Sequence, residues 1–343
     1  MSTNALRDVE DRVMAHQRRW LVTGSAGFIG SHLLETLLRL GQHVTSLDNF
    51  STGHRSNLDE VRSLVGDDAW SRHRFIEGDI VDLDTCRDAC EAVDVVLHQA
   101  ALGSVPRSIE DPLATHRANA TGFLTMLTAA RDAKATRFVY AASSSTYGDS
   151  AALPKVEDHI GRPLSPYAVT KYLDELYADV FGRCYGLSTV GLRYFNVFGA
   201  RQDPQGAYAA VIPRWARSML DGVTCAINGD GLTSRDFCYV ANAVQANLRA
   251  ALSDTSNAVD QIYNVAVGQR TSLADLHRML AASLQSLRPQ LVVAPPDYRP
   301  FRAGDIAHSL ADISKARQRL GYSPTHQVQQ GLMESVAWYA RRG

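Results

Sequence analysis

The stretch Leu21-Val22-Thr23-Gly24-Ser25-Ala26-Gly27-Phe28-Ile29-Gly30 joins a short apolar run to the start of an amphipathic segment. Its glycines follow the spacing G-x-x-G-x-x-G, a variant of the fingerprint that links a β-strand to a helix in dinucleotide-binding folds. Such glycines permit a tight turn and let the backbone approach a pyrophosphate, to which the helix N-terminus donates N–H groups. The stretch therefore predicts a βα unit with a dinucleotide site formed by Gly24, Gly27, Phe28, Ile29 and Gly30.

An alternation of short apolar runs with helical segments extends from this unit to residue 194. The predicted strands are Trp20–Thr23, His43–Leu47, Arg74–Ile76, Val93–His98, Phe138–Ala142 and Thr189–Tyr194. The predicted helices have apolar residues three or four positions apart and are Ser31–Leu40, Asp84–Ala92, Asn119–Asp132 and Tyr167–Tyr185. The pattern predicts a Rossmann-type α/β fold, a doubly wound parallel sheet with helices on both faces.

The alternation of predicted strands and helices ends after Gly199, and residues 201–208 are rich in Gln, Pro and Gly. Residues 237–252 and a strand at Ile262–Val265 again resemble elements of the main domain. We therefore predict a dinucleotide-binding domain of residues 1–201 plus 236–270. A smaller, discontinuous α/β substrate-binding lobe would comprise residues 202–235 plus 271–343, because 343 residues exceed what one core usually supports.

Composition narrows the class of protein. Hydrophobic residues make up 45% and charged residues 21%, as in ordinary soluble globular proteins. The net charge of -1 supplies no overall field for nucleic acid or anionic membranes, so neither is predicted as a partner. No apolar run is long enough for a membrane span, and Met1–Arg19 has no apolar signal segment, which predicts a cytoplasmic location.

The five cysteines are odd in number and include no Cys-x-x-Cys pair, so we expect reduced thiols. Cys86 and Cys90 share a helix face and could bind a metal. Because no matching Cys or His pair lies nearby, buried packing is the favoured reading and no metal is predicted.

Acidic residues follow the second and third predicted strands. Asp48 stands where a carboxylate can hydrogen-bond both ribose hydroxyls and repel a 2′-phosphate, which favours NAD over NADP. The alternative is that Asp48 only shapes the turn. His54 and Arg55 lie just downstream and leave NADP as an alternative cofactor. Asp79 lies where it could meet the adenine amino group.

Tyr167 and Lys171 are four residues apart, one helical turn, so the phenol and the ammonium project from the same face. A fixed positive charge favours the phenolate, which can then act as a base near neutral pH. The serine run Ser143-Ser144-Ser145 lies upstream and adds hydroxyl donors, although a serine cluster at a strand end can also be a capping loop.

These features together resemble the extended short-chain dehydrogenase/reductase family over nearly the whole chain. Within it the chain looks most like the UDP-sugar 4-epimerases, especially the bacterial UDP-N-acetylglucosamine 4-epimerases of surface-polysaccharide pathways. The motifs are Gly24 to Gly30, Asp48, Gly78-Asp79-Ile80, His98-Gln99-Ala100-Ala101, Gly103-Ser104-Val105-Pro106-Arg107-Ser108, Ser143-Ser144-Ser145-Thr146-Tyr147-Gly148, Tyr167 with Lys171, Arg193-Tyr194-Phe195-Asn196 and Ser234-Arg235-Asp236-Phe237-Cys238-Tyr239.

The resemblance implies a hydride relay with tightly held NAD. Tyr167 would take the proton of the sugar 4-hydroxyl while NAD accepts the C4 hydride, and the 4-keto sugar would turn and receive the hydride on its other face. Ser143 would hydrogen-bond the 4-oxygen, with Ser144 and Ser145 in support. The implied NAD-binding residues beyond the glycine turn are Asp48, Asn49, Asp79, Ile80, Gln99, Ala100, Ala101, Tyr167, Lys171 and Tyr194.

The resemblance also implies a UDP-sugar site and the kind of reaction. The substrate-binding residues would be Gly103, Ser104, Ser143, Tyr167, Asn196, Ala210, Val211, Asn228, Arg235, Arg302, Asp305 and Ser309. Sugar 4,6-dehydratases carry an Asp-Glu pair directly after the Ser/Thr. Here Ser144 and Ser145 stand in those places, which disfavours loss of water.

The small Ser309 matches a position where a bulky tyrosine accompanies preference for non-acetylated sugars, so it favours UDP-GlcNAc and UDP-GalNAc. A UDP-glucose or UDP-hexuronate 4-epimerase stays open, including one for 2-acetamido uronates with His308 or Arg107 as carboxylate partner. A catalytically silent NAD-binding regulator is a further alternative. Family members are commonly homodimers, and the helix beginning near Tyr167 is the candidate interface.

Overall fold

The computed structural model describes residues 2–205, 209–301 and 307–341, with side chains from residue 6 onward. Its α-helices are α1 (Ser2–Met14), α2 (Phe28–Arg39), α3 (Arg55–Trp70), α4 (Leu83–Ala89), α5 (Val105–Glu110), α6 (Pro112–His116), α7 (Gly122–Asp132), α8 (Pro166–Tyr185), α9 (Val211–Leu220), α10 (Val240–Ala251), α11 (Leu273–Leu287), α12 (Ser314–Leu320) and α13 (Val328–Arg341). Its strands are β1 (Arg19–Thr23), β2 (His43–Asp48), β3 (His73–Glu77), β4 (Val95–His98), β5 (Arg137–Ser143), β6 (Thr189–Tyr194), β7 (Val197–Phe198), β8 (Ala226–Asn228), β9 (Ser234–Arg235), β10 (Cys238–Tyr239), β11 (Gln261–Val265), β12 (Thr271–Ser272) and β13 (Asp297–Arg299).

Seven strands form one parallel sheet in the order β11-β6-β5-β4-β1-β2-β3. The chain builds outward from β1 to β3, crosses to β4 on the other side of β1, and then builds outward in the opposite direction. The predicted doubly wound α/β fold is therefore confirmed. The winding reverses between β1 and β4, and in such sheets ligands bind outside the carboxyl ends of the strands at this point.

Both faces of the sheet are covered, as the alternation of side chains along β1 requires. Trp20 and Val22 enter a core packed against α2, α3 and α10, whereas Leu21 enters a second core packed against α4, α7 and α8. Cys86 and Cys90 lie buried in this second core, in agreement with the packing reading.

The predicted element boundaries differ from the structure at several ends. The helix predicted as Ser31–Leu40 is α2, which begins at Phe28 and ends at Arg39. The helix predicted as Asp84–Ala92 ends at Ala89, because Ala92 has a left-handed backbone with φ 55°. The following strand begins at Val95 rather than Val93. The helix predicted from Asn119 begins with a π-helical turn, Arg117–Thr121, before α7.

A third buried core joins α9, α11 and α13 beside the carboxyl edge of the sheet. Two-stranded pairings of β7 with β10, β8 with β13 and β9 with β12 surround it. The strand β11 completes the large sheet, and α10 packs on α2 and α1. None of the helices in the described part of the chain combines the length and apolarity needed to cross a membrane.

Candidate active site

A cleft of about 670 Å³ opens at the carboxyl ends of the central strands. Every residue that the sequence predicts for cofactor binding lines it, namely Gly24, Gly27, Phe28, Ile29, Gly30, Asp48, Asn49, Asp79, Ile80, Gln99, Ala100, Ala101, Tyr167, Lys171 and Tyr194. Gly103 and Ser143 also line the cleft. Residues from seven separate segments thus meet at one site, although their roles there remain predictions.

The glycine turn brings backbone against backbone. Gly24 has a left-handed φ of 69°, and a Cβ there would lie 2.9 Å from the nitrogen of Ala100. A Cβ on Gly30 would lie 2.1 Å from the carbonyl oxygen of Gly24. The hydroxyl of Thr23 accepts hydrogen bonds from the nitrogens of Gln99 (3.2 Å) and Ala100 (3.1 Å), which fixes the end of β4 against β1. The turn therefore leaves N–H groups at the start of α2 beside open space, as a dinucleotide pyrophosphate requires.

Asp48 shapes the turn and also lines the cleft, and its contact with a ribose stays a prediction. Its carboxylate accepts hydrogen bonds from the nitrogens of Ala26 (2.9 Å) and Phe50 (2.7 Å). Burial raises the pKa of Asp48, and these two hydrogen bonds oppose that rise. Each carboxylate oxygen keeps acceptor capacity for a ribose hydroxyl.

Arg55 and His54, the two basic residues that left NADP as an alternative cofactor, contact other side chains. Arg55 pairs with Glu77 at 2.8 Å, and its guanidinium carbon lies 4.5 Å from the ring centre of Phe50. His54 lies 3.3 Å from a carboxylate oxygen of Asp203. Neither residue lines the cleft, so neither places a positive charge beside Asp48 to bind a 2′-phosphate. The carboxylate of Asp48 therefore favours an unphosphorylated ribose.

The first turn of α8 is held by a side-chain cap. Ser165 accepts a hydrogen bond from the nitrogen of Ala168 at 3.1 Å, and Pro166 occupies the first helical position, where its missing N–H costs nothing. These two residues orient Tyr167 into the cleft. Across from it, β5 ends at Ser143.

Ser143 both caps a short 3₁₀ turn and lines the cleft. Its hydroxyl accepts hydrogen bonds from the nitrogen of Ser145 (3.1 Å) and from the hydroxyl of Ser145 (2.9 Å). The capping reading is thus correct for Ser143 without removing it from the site. Ser144 and Ser145 do not line the cleft, and Ser145 reaches it only through Ser143.

Lys171 lies buried below Tyr167 and donates to the carbonyl oxygen of Ala141 at 3.0 Å and to Asp174 at 3.1 Å. Burial alone would lower the pKa of Lys171, but the negative charges of Asp174 and Tyr167 outweigh burial and raise it. The ammonium is therefore held in its charged form. His98, on the neighbouring strand, has a pKa lowered to about 3, by burial first and by Lys171 second, so it stays neutral.

Two positioning groups were missed by the sequence prediction. Asn119, in the π-helical turn, accepts from the nitrogen of Leu102 (2.7 Å) and donates to the hydroxyl of Thr170 on α8 (3.1 Å). Asn247 donates to the hydroxyl of Tyr194 at 2.7 Å. A polar residue on the apolar face of a helix is the signal that identifies such groups, and both asparagines occupy such a face.

A second cavity of about 250 Å³ adjoins the cleft, and Val197 and Gln202 line both. It contains the predicted substrate residues Asn196, Ala210, Val211, Asn228 and Arg235, together with Arg214, which was not predicted.

The remaining predicted substrate residues lie elsewhere. Ser104 caps α5 through the nitrogen of Arg107 at 3.3 Å and does not line either cavity. The nitrogen of Ser309 donates to the carbonyl oxygen of Ser234 at 3.0 Å, which places Ser309 beside β9, and Ser309 lines neither cavity. Arg302 and Asp305 fall outside the described residues.

Residues 20–266 match the NAD dependent epimerase/dehydratase family. The chain belongs to this family. A UDP-glucose 4-epimerase from Mycolicibacterium smegmatis is 35% identical over 328 residues, which are 94% of this chain and 99% of that protein.

Two solved structures share the whole architecture. A UDP-N-acetylglucosamine 4-epimerase from Methanobrevibacter ruminantium, in complex with UDP-N-acetylmuramic acid, has a TM-score of 0.86 and 35% identity, and the match covers 95% of this chain and 99% of that one. A UDP-glucuronic acid 4-epimerase from Bacillus cereus, in complex with UDP-glucuronic acid and NAD, has a TM-score of 0.83 and 31% identity over 95% and 100% of the two chains.

For a member of the epimerase/dehydratase family, the groups around Ser143 separate the two reactions. Within the described residues, the carboxylates that line the cleft are Asp48 and Asp79, which follow β2 and β3. The strands β1 and β4 lie between β2 and β5, where Ser143 lies, and β2 also lies between β3 and β5. Within the described cleft, neither of these two carboxylates lies on the strand that carries Ser143.

Proposed function

We propose that this protein is an NAD-dependent 4-epimerase that interconverts UDP-GlcNAc and UDP-GalNAc through a 4-keto sugar. The observation that carries the proposal is that Tyr167, the buried Lys171 and Ser143 line the same cleft as the glycine turn. NAD bound in this cleft would accept a hydride from C4 of the sugar and return it.

The residues of the chain would handle the proton. Tyr167 would take the proton of the 4-hydroxyl as C4 is oxidised and return it after the sugar has turned. The charged Lys171, fixed by the carbonyl of Ala141, would stabilise the phenolate and bind the nicotinamide ribose. Ser143 would hydrogen-bond the 4-oxygen, and Ser145, which donates to Ser143, would orient it.

The second cavity would hold the nucleotide diphosphate. Arg235 offers a guanidinium for phosphate oxygens, and Asn196 and Asn228 offer amides on the same cavity wall. Arg302 and Asp305 stay in this assignment on sequence grounds alone. The division into a cofactor domain of residues 1–201 plus 236–270 and a substrate lobe of 202–235 plus 271–343 belongs to the same proposal, as does a cytoplasmic location.

The choice of sugar rests on the volume at Ser309, a small residue whose nitrogen donates to the carbonyl oxygen of Ser234 in β9. A small side chain leaves room for a 2-acetamido group. The related UDP-N-acetylglucosamine 4-epimerase supports this choice, whereas the relatives named for UDP-glucose and UDP-glucuronic acid support the alternatives.

The test is to incubate the purified protein separately with UDP-GlcNAc, UDP-glucose and UDP-glucuronic acid, and to resolve products by NMR. We expect predominant conversion of UDP-GlcNAc to UDP-GalNAc. Tyr167→Phe, which keeps the ring but not the hydroxyl, should lower turnover by about 10²- to 10⁴-fold while retaining NAD. Preferential turnover of a non-acetylated sugar would refute the substrate assignment, and equal behaviour of the two proteins would favour the silent regulator.

We also propose a homodimer formed through α8. Val169, Leu176 and Val180 leave 46%, 46% and 40% of their surface exposed along this helix. Ile109 of α5 and Leu113 of α6, two helices that pack against α8, are 63% and 81% exposed. Light scattering after chromatography should give the mass of two chains, and Leu176→Glu with Val180→Glu should give the mass of one. A monomeric parent protein would contradict this assignment.

A further inference from the structure

We infer that Asp174 is a positioning residue for the catalytic pair: it anchors Lys171 and reduces the positive charge that Lys171 presents to Tyr167. This inference rests on the proposed role of Tyr167 as the base. It concerns a residue one turn beyond Lys171 that does not line the cleft.

The three groups follow one another along a single face of α8. Tyr167, Lys171 and Asp174 stand at positions i, i+4 and i+7, so the ammonium lies between the phenol and the carboxylate. The lysine nitrogen is 3.1 Å from one oxygen of Asp174, and the side chains of the pair are 4% and 0% exposed. The carboxylate and the carbonyl of Ala141 together determine where the ammonium points.

The stability of the fold does not explain this carboxylate. Its second oxygen, Oδ1, is buried and has no hydrogen-bond partner among the described residues. A buried ion pair with an unsatisfied oxygen contributes less to the stability of the fold than apolar residues of similar volume would. The adjacent Glu175 differs, since both of its oxygens bind Arg193 of β6. The burial of the Asp174 carboxylate therefore costs the fold free energy, and it places a negative charge where that charge acts on Tyr167, the proposed base.

The other titratable groups around the pair do not replace this role. Tyr140 of β5 is buried, and its pKa is raised by burial first, then by Glu175 and Asp174. His98 of β4 is neutral, and Arg193 of β6 is committed to Glu175. Burial raises the pKa of Asp174 to about 7, against the charge and hydrogen bond of Lys171, which lower it, and with a smaller contribution from Glu175, which raises it. The pair therefore titrates as a coupled unit.

At a pH above about 7, where Asp174 is ionised, the carboxylate turns the single positive charge near the phenol into a pair of opposite charges. At a rise of 1.5 Å per residue, Asp174 lies about 10 Å along the helix from Tyr167. At that separation and an effective dielectric constant of about 20, removing the negative charge should favour the phenolate by the equivalent of about one pH unit.

The experiment compares Asp174→Asn in the NAD-loaded protein with the parent and with Asp179→Asn. Asp179 lies on the same helix but is 62% exposed and pairs with Arg183, which makes it the matched control. We expect the acid limb of the pH profile of kcat to move to lower pH by about one unit in Asp174→Asn and not in Asp179→Asn. A uniform loss of activity at every pH, with no displacement of the limb, would show a merely structural role and overturn the inference.

A second readout does not depend on turnover. Ultraviolet titration of tyrosinate, taken as the difference between each protein and its Tyr167→Phe counterpart, should show the same displacement without substrate. If no UDP-sugar is converted but the displacement is present, the proposed function fails and the inference stands. If Asp174→Asn does not fold, as judged by circular dichroism, the smaller Asp174→Ser should give the displacement, and its absence there would refute the inference.

Discussion

Removing one side of the buried ion pair between Arg193 and Glu175 tests how α8 is held on the sheet. The guanidinium makes two hydrogen bonds to the carboxylate, at 2.8 and 2.7 Å, and the side chains are 3% and 4% exposed. The remaining Nη1 donates to the carbonyl oxygen of Glu157 at 2.8 Å, and the guanidinium carbon lies 4.8 Å from the ring centre of Tyr147.

Glu175→Ala would leave the guanidinium charged and buried, because burial cannot remove a proton from arginine at any ordinary pH. The carbonyl of Glu157 and the ring of Tyr147 would compensate only in part. Breaking a buried pair from one side costs about 3–5 kcal/mol, so we expect the free energy of unfolding to fall by about that amount. Replacing both partners, as in Glu175→Met with Arg193→Met, should cost far less because no buried charge remains.

The assay is urea denaturation followed by circular dichroism, without ligand and at constant pH. Asp179→Ala is the control, because the Asp179–Arg183 pair lies on the same helix with side chains 62% and 68% exposed. An exposed pair of this kind contributes about 0–1 kcal/mol. If Glu175→Ala loses no more stability than Asp179→Ala, or if the double variant is the least stable protein, the reasoning is refuted.

Three further predictions address the cofactor, the sugar and the response to acid. Gly30→Ala places a Cβ 2.1 Å from the carbonyl oxygen of Gly24, so the turn must shift, and NAD affinity measured by calorimetry should fall at least about tenfold; unchanged affinity would contradict the backbone packing. Ser309→Tyr should lower kcat/KM for UDP-GlcNAc relative to UDP-glucose by about tenfold or more, and an unchanged ratio would remove the volume argument. His98 is buried and neutral with a pKa lowered to about 3, so its unfolded form takes up a proton first, and stability is lost as pH falls from about 6.5 toward 3, by at most about 1.4 kcal/mol per pH unit. His98→Asn should flatten this part of the curve of unfolding free energy against pH, and an equally steep curve would show that other groups cause the loss.

The residues that the sequence placed in the cleft correctly are those whose prediction depends on neighbours along the chain. The glycine spacing, Tyr167 with Lys171, and Asp48 at a strand end each follow from helical or strand geometry over a few residues. The family resemblance then assigned residues such as Gln99 and Tyr194, and both line the cleft.

Residues whose partners are distant in sequence were harder to predict. Asn119 acts through Leu102 and Thr170, the second of which is 51 residues away, and Asn247 reaches Tyr194 across 53 residues. Ser145, which was predicted as a site residue, does not line the cleft because the 3₁₀ turn directs its hydroxyl to Ser143. The end of α4 and the start of β4 were misplaced because the left-handed Ala92 leaves no mark in the apolar pattern.

The sequence by itself determined the seven strands of the large sheet in their order along the chain, the dinucleotide turn and the one-turn spacing of Tyr167 and Lys171. These features depend on local periodicity and on the backbone freedom of glycine, which can be read over ten residues or fewer. Only the tertiary structure decided that Lys171 shares a buried face with Asp174, that Arg55 is turned to Glu77, and that the two cavities meet at Val197 and Gln202. Burial and the choice of partners arise only when separate strands and helices pack together. A charge at the surface is screened by water and has little effect on its neighbours, whereas the same charge in the low dielectric between packed elements acts strongly on the site.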